Sequence, residues 1–404
     1  MPSSRLFRIS GTGCALVDYL YKPVCFTDTH FKKYLSESPG DGGLTPGKLV
    51  FKDEFEKYSK ETYLQVRNAI SGGKDPVALN IGGPSIVSLI HAAQLLNGSG
   101  TEVYFYGSKG ADGAGAFMDE KLKMTPLKIG LYKTGTQYTP FTDVLSDPDF
   151  EDGQGERIFI NNIGAAWEFL PEDLDDLFFQ SDMVVFGGTA LVPFIHQDLE
   201  NLLSKAKSNN AITVVNTVYD FLSEKQSSQK PWMLGRSIET YKFIDLLITN
   251  MEEAIRLSGT TSIDEAIMFF KNTGVGAAII THGSNPVYFF ADNLLFGTIP
   301  QTSMPVSEKV VRELMQDKDK SGDTTGCGDN FAGGVIASIA MQLTENPGAQ
   351  LDLELAIALG VASGGYACFY NGGTFYENFP GQKKSLIDTF YQDYLNQIGV
   401  SENR

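Results

Sequence analysis

The chain has 404 residues, of which 42 % are hydrophobic and 20 % are charged, so it is a folded globular protein and not a disordered one. The formal net charge of −17 argues against nucleic acid and anionic membranes as partners, because nothing would neutralise their charge. The four cysteines are widely spaced and no stretch reaches the roughly 18 apolar residues of a membrane span. We therefore expect no zinc site, disulfide framework or membrane helix, and a reducing, cytoplasmic location.

The N-terminal third predicts strands of two kinds. The segment FRISGTGCALVDYLY (7–21) predicts a strand with Asp18 near its end, and residues 22–60 are polar and broken by Gly and Pro. Residues 79–100 predict a strand, a Gly-Gly turn and a helix that begins near Pro84. Residues 127–162 alternate partly, as antiparallel strands do. Segments within about 15–60 and 127–162 are expected to form a small sheet beside the main one.

The middle of the chain alternates between short apolar runs and amphipathic stretches. The runs MVVFGG (183–188), AITVVN (211–216), IDLLITN (244–250) and AAIITHG (277–283) each predict a buried strand. Residues 196–207 and 262–273 predict helices between them. This alternation indicates an α/β fold with a mainly parallel sheet and helices on both faces. Ligands of such sheets bind beyond the carboxyl ends of the strands.

The stretch SGDTTGCGDNFAGG (321–334) stands directly before an apolar run that predicts a helix. A helix N-terminus carries unpaired N–H groups and partial positive charge, and glycines at 326 and 328 would let these groups face an anion. Asp329 would lie beside that anion site, where a base could take the proton of a hydroxyl group during phosphorylation. The alternative is structural: Asp in a first helical turn is a common cap, and glycines make tight turns.

The residues D-T-T-G-C-G-D (323–329) resemble the D-T-x-G-A-G-D signature of the ribokinase-like (PfkB) carbohydrate kinases, with Cys327 where alanine is usual. The resemblance extends from about residue 7 to about residue 375. It implies one ribokinase-like domain over 1–404, of three α/β/α layers with a small β-sheet lid. It also implies that Asp329 is the catalytic base, that the amides of Gly326, Cys327 and Gly328 form an anion hole, and that Asp323 shapes the loop or a cation site.

Three further segments match the family in the expected order. Asn250 and Glu253 resemble its N-x-x-E motif, which implies that they hold Mg²⁺, largely through water, beside the phosphates of ATP. Taken alone, the pair is equally typical of a helix cap. Thr281 and Gly283 resemble the strand and turn that run along the nucleotide. Asn216 ends a strand where the family has polar residues, so it is either a nucleotide contact or an ordinary turn residue.

The acceptor side matches less completely. Asp18 resembles the strand-end aspartate that binds substrate hydroxyls, and Gly82 and Gly83 resemble the Gly-Gly that leaves room for the sugar. Val87 stands at or near a position where the family often has asparagine, which removes an expected hydrogen bond to the acceptor. The long insertion at 22–78 gives the chain a layout closer to adenosine kinase.

The leading prediction is an ATP-dependent kinase that phosphorylates a hydroxymethyl group of a sugar, sugar acid or related compound. No Walker A sequence and no protein-kinase H-R-D set is present. The alternatives are an adenosine kinase-like nucleoside kinase and a ligand-binding member of the fold without chemistry. A Rossmann dehydrogenase is weaker, because no G-x-G-x-x-G opens a helix with an acidic residue downstream. A monovalent cation and a homodimer through the lid are left open by the resemblance.

Overall fold

The structure is a computed structural model that describes residues 6–38, 40–153, 155–316, 322 and 324–400. Within this part of the chain, nine strands form a main sheet in the order β14-β13-β12-β11-β10-β9-β1-β5-β6, and five form a second sheet in the order β3-β8-β7-β2-β4. The strands are Phe7–Gly13 (β1), Leu16–Tyr21 (β2), Leu49–Phe51 (β3), Ala78–Gly82 (β4), Thr101–Gly110 (β5), Lys128–Gly135 (β6), Phe141–Asp147 (β7), Glu156–Asn162 (β8), Met183–Gly187 (β9), Ile212–Asn216 (β10), Leu246–Asn250 (β11), Ala277–His282 (β12), Asn285–Asn293 (β13) and Gly297–Met304 (β14).

The pairing of the main sheet is parallel from β6 to β12, and at its other edge β13 pairs antiparallel with both β12 and β14. The helices are Thr29–Lys32 (α1), Lys52–Ser59 (α2), Tyr63–Ser71 (α3), Pro84–Leu95 (α4), Gly113–Leu122 (α5), Phe150–Gly153 (α6), Asp176–Phe179 (α7), Pro193–Gln197 (α8), Leu199–Ser208 (α9), Phe221–Gln226 (α10), Met251–Ser258 (α11), Ile263–Asn272 (α12), Glu308–Gln316 (α13), Cys327–Glu345 (α14), Leu353–Ala367 (α15) and Gln382–Gln397 (α16).

Successive residues of the buried strands point to opposite faces of the main sheet and meet two separate cores. Val185 belongs to the core under α4, α14 and α15, whereas its neighbours Val184 and Phe186 belong to the core under α9 and α12. Both faces are thus covered by helices, as expected when strands are apolar along their whole length. The predicted three-layer α/β/α fold is confirmed.

A third core accounts for the insertion at 22–78. Its buried side chains come from this insertion and from strands of the second sheet: Tyr21, Val24, Phe26, Phe31, Tyr34, Leu44, Val50, Phe55, Tyr63, Val66, Leu145, Ile158 and Ile160. The insertion is therefore not an irregular loop, because it packs as an outer layer on the second sheet.

Two details of the predicted small sheet are corrected by the strand pairing. The segment 7–21 is not one strand: it breaks after Gly13, whose φ is +136° and where a Cβ atom would lie 1.7 Å from the carbonyl oxygen of Gly187. Residues beyond the break leave the main sheet and form β2. Within 127–162, β6 joins the edge of the main sheet, and only β7 and β8 enter the second sheet, together with β4.

No helix in the residues that the structure describes combines the length and the hydropathy that a bilayer crossing needs.

Candidate active site

One pocket of about 120 Å³ lies where β10, β11 and β12 end and α14 begins. The parallel register brings these strand ends together, because Asn216 lies beside Gly187 and Asn250 lies beside Thr281. The pocket is lined by Pro84, Asn216, Thr217, Val218, Ile248, Thr249, Asn250, Glu253, Thr281, Gly328, Asp329 and Ala332. This is the edge at which α/β sheets bind ligands.

Two glycines at the start of α14 have different surroundings. Gly326 has a φ of +76°, and a Cβ atom there would lie 2.4 Å from the Cα atom of Gly373. Gly328 has open space around its Cβ position, so a ligand can approach the first turn of the helix closely. Cys327 N–H donates to the carbonyl oxygen of Thr324 at 3.4 Å. The first turn of this helix lines the pocket through Gly328 and Asp329, at the helix end where unpaired N–H groups favour anions. Asp323 lies outside the described residues.

Asp329 lies in the first turn of α14 and lines the pocket. Burial, with a smaller contribution from the charge of Glu253, raises the pKa of this carboxyl to about 7. A carboxyl with such a pKa is half ionised near neutral pH, which is the range in which a general base is most effective. The macrodipole of α14 acts in the opposite direction and favours the ionised form.

Glu253 is buried at the start of α11, and burial raises its pKa. Its carboxylate accepts a hydrogen bond from the Thr217 hydroxyl, and the Thr249 hydroxyl lies 3.5 Å away. The Asn250 side chain caps the same helix, with its Oδ1 atom accepting from Glu253 N–H at 2.9 Å. Asn250 therefore fits both interpretations of the sequence, because its side chain caps α11 and the residue also lines the pocket.

Of three further residues predicted to contact the nucleotide, Asn216 and Thr281 line the pocket and Gly283 does not. Asn216 is buried, and its Oδ1 atom has no hydrogen-bond partner within the described residues. The Thr281 hydroxyl donates to the Thr249 carbonyl oxygen at 3.4 Å. Gly283 lies in the tight turn after β12, with a φ of +57° and no neighbouring atom within 4 Å of its Cβ position. Its role at this point is the turn itself.

A second pocket of about 310 Å³ contains Asp18 and lies between the second sheet, Thr325 and residues 370–376. A Cβ atom at Gly82 would lie 2.0 Å from Asp18 Oδ2, so this glycine makes room for the carboxylate of Asp18. Gly83 has a φ of +102° and passes close to the backbone of Cys14. The walls of the pocket are Leu20, Ala78, Leu79, Asn80, Val144, Thr325, Tyr370, Asn371, Gly372, Thr374, Phe375 and Tyr376.

Family comparison agrees with this geometry. The model of the pfkB family carbohydrate kinases matches residues 75–378, which is well over half of the chain. The chain belongs to this family. Adenosine kinase from Schistosoma mansoni in complex with 2-fluoroadenosine has a similar fold, with 16 % identity, a TM-score of 0.66 and coverage of 93 % of this chain and 98 % of that chain.

Two further solved structures share the fold of this pfkB family chain. Ribokinase from Thermotoga maritima is 19 % identical, with a TM-score of 0.59 and coverage of 96 % of this chain and 99 % of that chain. A candidate ribokinase II from E. coli, solved with ATP and Mg²⁺, is 16 % identical, with a TM-score of 0.62 and the same coverage. The predicted ribokinase-like fold is confirmed by these neighbours.

Sequence reasoning missed residues that reach the site from distant segments. Arg157, on β8 of the second sheet, donates to the hydroxyl of Thr325 at 2.9 Å and to that of Thr324 at 3.3 Å. A lone arginine in a strand gives no sequence signal of such a contact. Asn80 pairs with Asp18 across β4 and β2 and donates to the Thr374 carbonyl oxygen at 3.2 Å. This alignment could have been predicted only from the antiparallel register.

A buried lysine lies behind the glycine turn of this pfkB family site. Lys383 Nζ donates to Asn330 Oδ1 at 2.8 Å, and the Asn330 amide donates to the carbonyl oxygens of Gly326 at 2.8 Å and Gly373 at 2.9 Å. Burial lowers the pKa of Lys383 to about 7. Val87, which replaces the expected asparagine, is also buried here, against Gly373.

Proposed function

We propose that the protein is an ATP-dependent kinase that phosphorylates a hydroxymethyl group of a sugar or sugar derivative. The observation that carries this proposal is the position of Asp329, a carboxyl with a pKa raised to about 7 in the first turn of an open helix N-terminus. Base and anion site are thereby joined in one turn of helix. Family membership supports the kinase class.

Each residue at 326–329 has a separate role in the proposed reaction. Asp329 takes the proton of the acceptor hydroxyl, so that its oxygen can attack the γ-phosphorus atom of ATP while the bond to ADP breaks. The N–H groups of Gly326, Cys327 and Gly328 donate to the oxygens of the transferring phosphoryl group. Arg157 adds positive charge beside Thr325. Excess negative charge in the transition state is thus met by donors that are already in place.

The residues around the first pocket fit ATP with Mg²⁺. Asn216 has an unpartnered buried oxygen and Glu253 a buried carboxylate, and both line the pocket together with Asn250 and Thr281. These are the oxygen ligands that Mg²⁺ prefers. We propose that these residues hold the ion largely through water, since Mg²⁺ keeps several of its waters in proteins. Bound Mg²⁺ would neutralise phosphate charge. ATP supply favours the cytoplasm as location.

Asp18 is proposed to bind the hydroxyl groups of the acceptor in the second pocket. Gly82 and Gly83 let the strand carrying Asn80 pass close to this carboxylate. We regard the chain as a single catalytic domain in which the second sheet acts as a lid. Arg157 on this sheet already contacts Thr325, which belongs to the turn at 324–328, called the phosphate turn below. Closure would exclude water, which competes with the acceptor. A homodimer through this sheet and a monovalent cation stay predictions.

A nucleoside acceptor is the second candidate. The pocket around Asp18 has an apolar and aromatic wall that includes Leu20, Val144, Phe375 and Tyr376. Such a wall suits the flat base of a nucleoside, while Asp18 would bind the hydroxyls of its ribose. The adenosine kinase from Schistosoma mansoni, solved with 2-fluoroadenosine, has a similar fold.

A coupled assay of ADP release over sugars, sugar acids and nucleosides tests the proposal. We expect at least one acceptor to raise ADP release well above the control with ATP and Mg²⁺ alone, and a chelator to abolish this release. If no acceptor does so while ATP still binds, the ligand-binding alternative is favoured. Release that persists without divalent metal would contradict the role given to Glu253 and Asn250.

A further inference from the structure

Two cysteines that are far apart in the sequence meet beside the phosphate turn. Cys327 is the first residue of α14 and Cys368 directly follows α15, and their Sγ atoms lie 3.4 Å apart. Both residues are partly exposed, so a small reagent can reach them. The wide spacing of the cysteines gave no reason to expect such a pair.

The helices that carry the two thiols are held closely by small residues. A Cβ atom at Gly364 would lie 2.8 Å from the Cys327 carbonyl oxygen, and one at Gly334 would lie 2.5 Å from the Ser363 hydroxyl. The Cys368 carbonyl oxygen accepts from Gly322 N–H at 2.8 Å, which ties the end of α15 to the segment before the turn. The sulfur atoms therefore stay neighbours because their backbones are packed together.

We propose that Cys327 and Cys368 form a redox-sensitive pair that a small-molecule disulfide, such as glutathione disulfide, converts into an intramolecular disulfide, and that this conversion slows phosphoryl transfer. The kinetic half of this proposal, the slower phosphoryl transfer, rests on the proposed function. The chemical half, formation of the disulfide, does not.

The conversion proceeds by two thiol–disulfide exchanges. One protein thiolate attacks a sulfur of the reagent, forming a mixed disulfide and releasing one glutathione thiolate. The second protein thiolate then attacks the mixed disulfide and releases the second glutathione. The two protein thiols lose two protons and two electrons in total, and the reagent is reduced to two thiols. The adjacent position of the second sulfur favours this second step over hydrolysis or further mixed disulfides.

Closure of the disulfide would disturb the phosphate turn. The two sulfur atoms must approach from 3.4 Å to about 2.05 Å, and Cys327 carries one of the three N–H groups of the anion hole. A displacement of about 1 Å at a reacting centre can lower a rate about 100-fold. Tyr370, two residues after Cys368, lines the second pocket and would be displaced when the two sulfur atoms approach. Oxidation should therefore reduce kcat more than ATP binding.

The other two cysteines provide the comparison. Cys14 is buried, and burial raises the pKa of its thiol, so it resists exchange. Cys25 is exposed, with its sulfur 3.2 Å from the Thr27 hydroxyl. Cys25 can therefore react with the reagent, but its sulfur contact is a hydroxyl and not a thiol. Cys25→Ala is the matched control for Cys368→Ala, a variant that leaves Cys327 and its N–H group in place.

The experiment treats the full chain with glutathione disulfide at neutral pH and follows peptide mass and kcat. We expect a linked peptide pair containing Cys327 and Cys368, a kcat at least about 10-fold lower, and recovery with dithiothreitol. Cys25→Ala should behave as the parent, and Cys368→Ala should form no linked pair, so that its Cys327 peptide carries at most one glutathione. Absence of the linked pair overturns the chemical half, whether or not any acceptor is found. A linked pair with unchanged kcat overturns the kinetic half.

Discussion

The proposed phosphate side of this site is built from consecutive residues, whereas the proposed acceptor side is built from segments that are far apart in the sequence. Gly326, Cys327, Gly328 and Asp329 are consecutive at the start of α14, so one turn of helix holds both the proposed anion donors and the proposed base. The acceptor pocket instead takes its walls from β2, β4 and β7, from Thr325 and from residues 370–376. A short motif can therefore specify the reaction, whereas the acceptor is specified by contacts between segments far apart in sequence. Variants on the two sides should fail in different ways.

The largest effect is expected on the phosphate side. Asp329→Asn removes the base but keeps the size of the side chain, so kcat should fall about 100- to 10,000-fold while ATP binding is retained. Acceptor-dependent ADP release and ATP titration measure the two quantities. A variant with near-normal kcat would show that another group takes the proton.

On the acceptor side we expect a loss of affinity. Asp18→Asn removes the charge that is proposed to bind the acceptor hydroxyls, and kcat/KM for the acceptor should fall about 10- to 100-fold. The KM for ATP should hardly change. If the variant instead lost ATP affinity, the division of the site into two sides would be wrong. The acceptor found in the screen is the substrate for this measurement.

A smaller effect is expected where the two sides meet. Arg157→Ala removes the guanidinium that bonds to Thr324 and Thr325, and kcat/KM for ATP should fall about 10-fold. Arg157→Lys is the matched control, because it keeps the positive charge without the two-pronged donor geometry, and it should recover part of the loss. If Arg157→Ala were as active as the parent protein, Arg157 would have no part in the reaction.

The smallest effect is on stability. Because the pKa of Asp329 is raised to about 7 in the folded state, its contribution to stability is favourable at acid pH and is lost as the pH rises through 7. At pH 8 the buried charge destabilises the fold, so Asp329→Asn should raise Tm by about 2 °C. This gain should shrink as the pH is lowered and disappear only near pH 4, where the carboxyl is protonated in the folded and the unfolded chain alike. A lower Tm at pH 8 would show that the charge is stabilised by the surrounding residues.

The sequence was sufficient for the fold class, the main strands and the turn at 326–329, because periodicity and a local motif are properties of contiguous residues. It was insufficient where contacts join distant segments. The break of the first strand at Gly13 depends on the approach of Gly187, and the reason for Gly82 depends on Asp18. Arg157, Lys383 and the neighbouring sulfurs of Cys327 and Cys368 depend likewise on packing between elements that no local pattern connects.

The most direct test of the central claim, that Asp329 is the base, is the pH dependence of kcat/KM for the acceptor. In the parent protein kcat/KM should decrease about 10-fold per pH unit below a pKa of about 7, because this ratio reports the enzyme before the acceptor binds and only the ionised carboxylate accepts the proton. In Asp329→Asn the residual kcat/KM should be low and independent of pH over the same range. An acid limb that is unchanged in Asp329→Asn would contradict the account, since the titrating group would then be another residue.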